Sequence, residues 1–307
     1  MLRATFIALS QSNLLRHLSE RSTIGRKLSG RFVAGVTTAE VLDATRKVNA
    51  LGMSATIDNL GENVADIHSA RNSAQLYHDL LDQIHDHQLN ANVSLKLTHM
   101  GFDVDQRESL QITSDLVAHA ARLNGFARID MEGSAYTQRT VDAVLNLHAR
   151  PGNQGRVGAV IQAYLYRSER DVEELLAAGI RIRLCKGAYK EPPSIAFPKK
   201  EEVDANYIKL VKLLLKSGIY HGIATHDERM IEAAIAFSRA EKVPHETFEF
   251  QMLYGVRRDL QLQLVKQGYR MRVYIPFGTE WYPYLMRRLA ERPANAMFLL
   301  KNLFRGA

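Results

Sequence analysis

The sequence predicts an α/β fold in which eight parallel strands close into a distorted (β/α)8 barrel, with extra helices at its amino end. Short apolar segments alternate with longer amphipathic ones, and the alternation repeats eight times. Strand–helix alternation indicates a parallel sheet, and eight units favour a TIM-like barrel over an open doubly wound sheet. No G-x-G-x-x-G motif follows any strand, which counts against an open sheet of the dinucleotide-binding kind.

The predicted strands are short and rich in β-branched and other apolar residues, as strands buried on both faces should be. In chain order they are Met53–Ile57, Ala91–Leu97, Phe126–Met131, Val157–Ala163, Ile180–Cys185, Ile219–Ala224, Thr247–Met252 and Met271–Ile275.

The segments between the strands carry leucine, isoleucine or alanine at three- and four-residue spacing, with charges on the other face, which predicts helices. Examples are Ser109–Asn124, Ser168–Ala178, Asp204–Ser217 and Glu228–Ala240. We expect one domain over 1–307: a helical extension over 1–38, then the barrel and a last helix over 39–307. The segment from Glu191 to Glu202 contains three prolines and predicts a long loop after the fifth strand.

Composition restricts the class of protein. The 307 residues are 46% hydrophobic and 24% charged, within the ordinary range for a globular protein. The amino end lacks the pattern of a signal peptide, and no apolar run is long enough to cross a bilayer, so we expect a cytoplasmic protein. The single cysteine, Cys185, excludes an intrachain disulfide and a thiolate zinc cluster.

The net charge of +7 favours anionic partners in general. The basic residues are spread along the chain, without a basic run that contains aromatics, so we expect no nucleic-acid partner. We expect no metal site either, because His78, His85 and His87 read as a solvated helix surface.

Polar residues gather where the predicted strands end, which is where barrel enzymes place their chemistry. Lys96, Asp130 and Arg183 each lie between two apolar neighbours inside a predicted strand. Burying one such charge without a partner is costly. Three of them therefore favour a shared polar centre over separate structural ion pairs. Further strand-end residues are Asp58, Glu62, Glu132, Gln162, Lys186, Thr225, His226, Glu249 and Tyr274.

The last predicted helix carries Tyr284, Arg287, Arg288 and Glu291 at a spacing that places all four on one face. Two adjacent guanidiniums make a strong clamp for a carboxylate, and a glutamate one turn along suits an ammonium. The face therefore predicts a receptor for a zwitterionic amino acid. The alternative is a solvated face that holds an Arg–Glu pair.

Taken together, these residues resemble the proline dehydrogenase family in its monofunctional bacterial form. The matching stretches run in family order over nearly the whole chain: LGE at 60–62, SLKLTHMG at 94–101, RIDMEGS at 128–134, VIQAYLYR at 160–167, RLCKGAYKEP at 183–192, ATHD at 224–227, FEFQMLYGVR at 248–257, VYIPFG at 273–278 and WYPYLMRRLAERPAN at 281–295.

The resemblance implies a noncovalent FAD over the mouth of the barrel. Arg183 is expected near flavin N5 as a catalytic residue, where it would stabilise negative charge. Asp130 is expected to be a second catalytic residue, as the anionic partner of the pocket. The residues that match flavin contacts are Met131, Gln162, Lys186, Gly187, Ala188, Thr225 and His226.

For the substrate, the resemblance implies L-proline with its carboxylate held by Arg287, Arg288 and Lys96. Glu291 is expected to face the substrate nitrogen. Two aromatic side chains, Tyr274 and Tyr284, are expected to wall the pocket, and Glu62 to pair with Arg287 as a gate. The implied reaction is hydride transfer to flavin N5, which forms 1-pyrroline-5-carboxylate, with a membrane quinone as the electron acceptor. Peripheral contact with the inner face of the membrane is then expected.

Other interpretations stay open at this point. A Schiff-base aldolase with Lys96 as its nucleophile accounts for the charged strand ends but leaves the last helix without a role. A flavin barrel that acts on folate is a second alternative. A basic barrel that binds membranes or nucleic acid without catalysis is the third.

Overall fold

In the computed structural model, which describes residues 29–291 except for the side chains of 287 and 289–291, eight parallel strands close into a barrel in sequence order. β1 pairs with β2 on one side and with β8 on the other, so the sheet closes. This confirms the predicted fold class. The strands are β1 Ser54–Asn59, β2 Ala91–Leu95, β3 Ala127–Ile129, β4 Val157–Gln162, β5 Arg181–Cys185, β6 His221–Ala224, β7 Phe248–Leu253 and β8 Met271–Phe277.

A helix precedes β1 and a helix follows each strand. They are α1 Thr38–Ala50, α2 Ile67–Asp86, α3 Gln106–Arg122, α4 Thr137–Ala149, α5 Ser168–Ala177, α6 Lys200–Lys216, α7 Glu228–Ala240, α8 Arg258–Lys266 and α9 Trp281–Glu291. Side chains that accept backbone N–H bonds begin several of them, including Asp66, Asp105 and Asp227. Within 29–291, no helix is long and apolar enough to cross a membrane. The expected helical extension over 1–38 lies almost wholly outside the described residues.

The strand ends differ from the predicted ones by at most two residues. β3 is only three residues long, so Asp130 immediately follows the strand. Lys96 likewise follows the last residue of β2. β8 extends two residues beyond the predicted end, to Phe277. The apolar runs predicted the strands well, but in β2 and β3 the last two residues of the run lie beyond the end of the ladder.

The barrel interior is polar, unlike the layers of branched apolar side chains that usually fill such barrels. At its amino end, the carboxylate of Glu249 accepts bonds from Arg272 Nε at 2.6 Å, Tyr220 Oη at 2.7 Å and Gln251 Nε2 at 2.7 Å. The buried Arg128 donates to the carbonyl of Ala159 at 2.9 Å. The apolar core lies outside this polar column, between the strands and the helices.

The expectation that His78 is solvated was wrong. His78 is half-buried between α2 and α3, and its Nδ1 lies 2.6 Å from Nδ1 of His119. Nε2 of His119 in turn lies 2.8 Å from Asp82. The two rings stack, so His78 takes part in helix packing, whereas His85 and His87 are exposed as predicted.

Candidate active site

Asp130 is the centre of a buried polar cluster at the carboxyl end of the barrel. Its Oδ1 accepts hydrogen bonds from Ser94 Oγ and from Arg183 Nη2, and its Oδ2 accepts one from Tyr274 Oη at 2.8 Å. These partners come from β2, β5 and β8. Strands that are not neighbours can share one carboxylate only across the interior, so the barrel itself assembles the cluster. The structure thus brings together Asp130, Arg183 and Tyr274, which the sequence analysis identified in three different strands.

Lys96 joins this cluster through a second aspartate. Its Nζ lies 3.3 Å from Oδ1 and 3.5 Å from Oδ2 of Asp58, at the end of β1. Asp58 is 2% exposed, and the Lys96 side chain is 12% exposed. The pair therefore lies at the boundary between the closed interior and the mouth.

The two aspartates ionise differently. Burial opposes ionisation of Asp130, but the charges of Arg183 and Lys96 outweigh it and hold the pKa of this carboxyl below its usual value. Burial raises the pKa of Asp58 to about 6, because Lys96 offsets only part of the desolvation. Burial would lower the pKa of Lys96, but Asp58 and Asp130 together raise it above its ordinary value. Lys96 is therefore an ammonium at neutral pH.

Arg183 is only partly satisfied by Asp130. Its Nη1 is buried and has no hydrogen-bond partner among the described residues. Its guanidinium carbon lies 4.9 Å from the centre of the Tyr274 ring. A planar cation with a donor to spare can stabilise negative charge that develops on a group bound beside it.

The expected flavin contacts lie at the ends of β3 to β6, on the same face of the barrel. Met131 and Thr225 are buried there. Gln162 donates from Nε2 to the carbonyl of Glu132 at 2.9 Å, so its amide is held in place. Nε2 of His226 accepts the backbone N–H of Leu253 at 2.9 Å, which fixes the ring against β7.

Lys186 stands in an ion network that its sequence context did not reveal. Its Nζ lies 2.5 Å from Asp204 and 2.8 Å from Asp227. Asp204 also pairs with Lys200 at 2.5 Å. An anion at this point would meet two carboxylates along with the cation, so a contact between Lys186 and a phosphate requires this network to rearrange.

Gly187 follows Lys186 at a turn that requires glycine. Its φ is +114°, and a Cβ there would lie 2.3 Å from Cδ1 of Tyr164. The backbone therefore passes directly over the Tyr164 ring. Ala188, the next residue, is exposed.

The last helix presents Tyr284 and Arg288 near one another, with the Arg288 guanidinium carbon 5.2 Å from the centre of the Tyr284 ring. Tyr284 is 7% exposed and belongs to an apolar cluster that includes Leu60, from the segment after β1. The side chains of Arg287 and Glu291 lie outside the described part of the structure. Glu62 is half-buried, and its charge helps to raise the pKa of Lys96.

Two residues of the buried cluster, Ser94 and Asp58, had no role assigned from the sequence. Ser94 donates to Asp130, and Asp58 pairs with Lys96. Side chains two apart on a strand share a face, so the spacing of Ser94 and Lys96 was a usable signal. The pairing of Asp58 depends on the register of β1 and β2, which the spacing does not give.

Comparisons with known proteins agree with this geometry. The model of the family described as proline dehydrogenase matches residues 41–301. Proline dehydrogenase 1 of Bacillus subtilis (strain 168) is 39% identical over 307 residues, which cover 99% of this chain and all of the relative. Proline dehydrogenase of Deinococcus radiodurans is 39% identical over 282 residues, 91% of each chain.

The fold has a counterpart among solved structures. Proline utilization A (PutA) from Bdellovibrio bacteriovorus, in a crystal structure of the protein inactivated by N-propargylglycine, matches with a TM-score of 0.82 and 26% sequence identity. The match covers 94% of this chain and 36% of that one. Family model, full-length relatives and barrel agree with one another: the chain belongs to the proline dehydrogenase family.

Proposed function

We propose that this protein oxidises L-proline to 1-pyrroline-5-carboxylate with a noncovalent FAD, and passes the electrons to a membrane quinone. The observation that carries the proposal is Arg183, whose buried guanidinium is anchored on Asp130 while its Nη1 has no hydrogen-bond partner in the described part of the chain. The proposal treats residues 1–307 as one catalytic domain and assigns catalytic roles to Asp130 and Arg183.

The residues at the mouth suit a flavin. Arg183 offers a buried donor that has no partner among the described residues, and the half-buried Gly187 has no side chain to keep its backbone away from a flat ring. When bound, FAD supplies a hydride acceptor at N5, which the described side chains lack. The residues proposed to hold it are Met131, Gln162, Lys186, Gly187, Ala188, Thr225 and His226.

The substrate is proposed to lie between the cluster and the last helix. Lys96, Arg287 and Arg288 bind its carboxylate, and Glu291 faces its nitrogen. The aromatic walls are Tyr274 and Tyr284, while Glu62 pairs with Arg287 to close the site. In support, Tyr274 contacts Asp130 directly, and Lys96 is held as a cation at the edge of the same cluster.

The state of Lys96 argues against the aldolase alternative. A Schiff-base lysine attacks as a neutral amine, which requires a depressed pKa. Asp58 and Asp130 act in the opposite direction on Lys96, since together they raise its pKa despite burial. Borohydride in the presence of a carbonyl substrate is therefore expected to leave Lys96 unmodified.

The quinone implies contact with a membrane. We propose that the protein resides in the cytoplasm and associates peripherally with the inner face of the membrane, supported by the net charge of +7. Flotation with anionic vesicles, with and without proline, tests this part. Absence of the protein from the lipid fraction in both conditions would refute it.

The reaction itself is tested by product identification. The purified protein, given L-proline and an artificial electron acceptor, should form 1-pyrroline-5-carboxylate, which o-aminobenzaldehyde traps as a coloured adduct. D-Proline serves as the control substrate. Acceptor reduction that requires L-proline but gives no adduct would overturn 1-pyrroline-5-carboxylate as the product, and no acceptor reduction with L-proline would overturn proline as the substrate.

A further inference from the structure

We propose that Asp58 is a positioning residue of this site, which holds the Lys96 ammonium at the mouth of the barrel and keeps it charged. The side chain of Asp58 is buried at the end of β1, and both of its oxygens lie within 3.5 Å of Lys96 Nζ. The inference that this cation then meets a substrate carboxylate rests on the proposed function. The pairing itself does not.

The two aspartates near Lys96 have different tasks because their other partners differ. Asp130 already accepts bonds from Ser94, Arg183 and Tyr274. Its charge is therefore balanced by Arg183 inside the barrel. Asp58 has a direct salt bridge to Lys96, whose ammonium is thus balanced chiefly by Asp58.

Burial alone would favour the neutral form of both members of this pair. Each charge is retained because the other lies beside it, and removing one partner leaves the other uncompensated in a low-dielectric interior. Replacing Asp58 by a neutral side chain should therefore lower the pKa of Lys96 and release its side chain. The pKa of Asp58, raised to about 6, agrees with a carboxylate that depends on this one cation.

Several other charged or titratable groups act on Lys96, but with weaker effect than Asp58. Asp130 lies across the interior and remains anionic, but it is engaged by Arg183. The contributions of Glu62 and Tyr189 to the pKa of Lys96 rank below those of both aspartates. None replaces the direct salt bridge. The charged or titratable groups that act on Lys96, or on which it acts, are Asp58, Glu62, His99, Asp130, Glu132 and Tyr189.

The test measures the Lys96 amine directly and needs no turnover. The purified full-length protein, with its cofactor, is methylated with formaldehyde and a borane reductant between pH 7 and 10, and each lysine is quantified by peptide mass spectrometry. Only the neutral amine reacts. In Asp58→Asn, Lys96 should react about tenfold faster at pH 8 than in the wild type, since a pKa lowered by one unit raises the neutral fraction tenfold. Asp58→Glu should restore slow reaction.

Asp43→Asn is the matched control, because Asp43 pairs with Lys47 at 2.7 Å on the exposed face of α1. There, Lys96 should react as in the wild type. An unchanged pH dependence of Lys96 methylation in Asp58→Asn would overturn the proposal. If the asparagine variant does not fold, Asp58→Ser provides the same comparison. Faster methylation without proline oxidation in the wild type would leave the positioning role intact and refute the proposed function alone.

A second readout joins the amine to the substrate. In Asp58→Asn, the KM for proline should rise more than kcat falls, and kcat/KM should decline at alkaline pH as Lys96 loses its proton. A purely structural role of Asp58 predicts an equal loss at every pH. That flat profile would contradict the proposal.

Discussion

At the scale of single residues, the site depends on charges that are buried but paired. The buried pair of Asp130 and Arg183 is weak evidence for stability, since burying an ion pair rarely repays its desolvation. The pair serves to orient Arg183. Asp130 holds the guanidinium in place, and Nη1 of Arg183 has no hydrogen-bond partner among the described residues. Substitutions near this centre should therefore affect binding and rate more than folding.

Arg288→Met should raise the KM for proline about a hundredfold and leave flavin bound, because the substrate carboxylate loses a charge-assisted hydrogen bond worth roughly 2–3 kcal/mol. Steady-state kinetics and the visible spectrum check both parts. Arg258→Met is the matched control, since Arg258 also lies over a tyrosine ring, that of Tyr254 at 5.5 Å. Loss of flavin in step with activity would instead make Arg288 a structural residue.

Tyr284→Ser should open the wall of the pocket, and 4-hydroxyproline should then gain roughly tenfold in kcat/KM relative to proline, as expected for one pocket contact. Tyr282→Ser is a suitable control because Tyr282 is buried in the same apolar cluster. Competition assays with both substrates provide the ratio. If the ratio stays at the wild-type value in Tyr284→Ser, Tyr284 does not determine this preference.

The sequence revealed most of these residues because a charge between two apolar neighbours is conspicuous. Lys96, Asp130 and Arg183 were found in this way, and the structure places them in one cluster with Tyr274. The partners were harder to predict. Lys186, for instance, meets Asp204 and Asp227, which lie far along the chain and come together only when α6 and the end of β6 pack side by side.

At the scale of elements, the segment between β5 and α6 forms much of the mouth. Glu191 accepts bonds from the backbone N–H and hydroxyl of Ser134 at 2.7 and 2.6 Å. Leu165 and Ala196 form an antiparallel bridge that ties the segment to the end of β4. The prolines predicted a long loop here. They did not predict these contacts, because the contacts are made with Ser134 and Leu165, which belong to other loops.

Gly187→Ala tests this element. The added Cβ would overlap the Tyr164 ring in a backbone conformation that disfavours alanine, so the strand end must shift and the flavin content should fall. Gly179→Ala is a matched control: its φ is +75°, also positive, but no atom of residues 29–291 that the structure describes lies within 4 Å of its Cβ position. Full flavin content and wild-type thermal stability in Gly187→Ala would contradict the assigned role of this turn.

His221 makes folding sensitive to acid. It lies at the start of β6, where burial and then Arg128 lower its pKa to about 3, and its Nδ1 accepts the N–H of Ile182 at 3.0 Å. In the unfolded chain, the His221 ring binds a proton as the pH falls through about 6.5, whereas in the folded protein it stays neutral until a much lower pH. Above pH 6.5, His221 is neutral in both states and does not affect the free energy of unfolding. As the pH falls below 6.5, protonation of His221 in the unfolded chain lowers the free energy of unfolding, by about 2 kcal/mol at pH 5.

Denaturant unfolding of His221→Gln should consequently show a smaller decrease in stability between pH 7.5 and 5 than the wild type. His85→Gln, at an exposed position on α2, should keep the wild-type decrease. Equal decreases in wild type and His221→Gln would show that the proton linkage lies elsewhere.

At the scale of the whole molecule, the chain builds one closed barrel with a polar column inside it. Strand number, strand order and parallel pairing followed from the alternation of apolar segments, and the structure confirms them. The sequence did not predict the polar cluster around Glu249 and Arg272 at the amino end of the barrel, although both residues lay within predicted strands. Its ion pair joins β7 to β8, and Arg272 also donates to the carbonyl of Ala55 in β1, so the cluster depends on the closed barrel rather than on any local pattern.

The central claim is that this barrel holds a flavin which L-proline reduces. The most direct measurement is the visible spectrum of the purified protein under anaerobic conditions, before and after L-proline is added. We expect a flavin spectrum that bleaches with proline. A flavin spectrum that stays unchanged would contradict the substrate, and a protein that shows no flavin, even after incubation with FAD, would contradict the account as a whole.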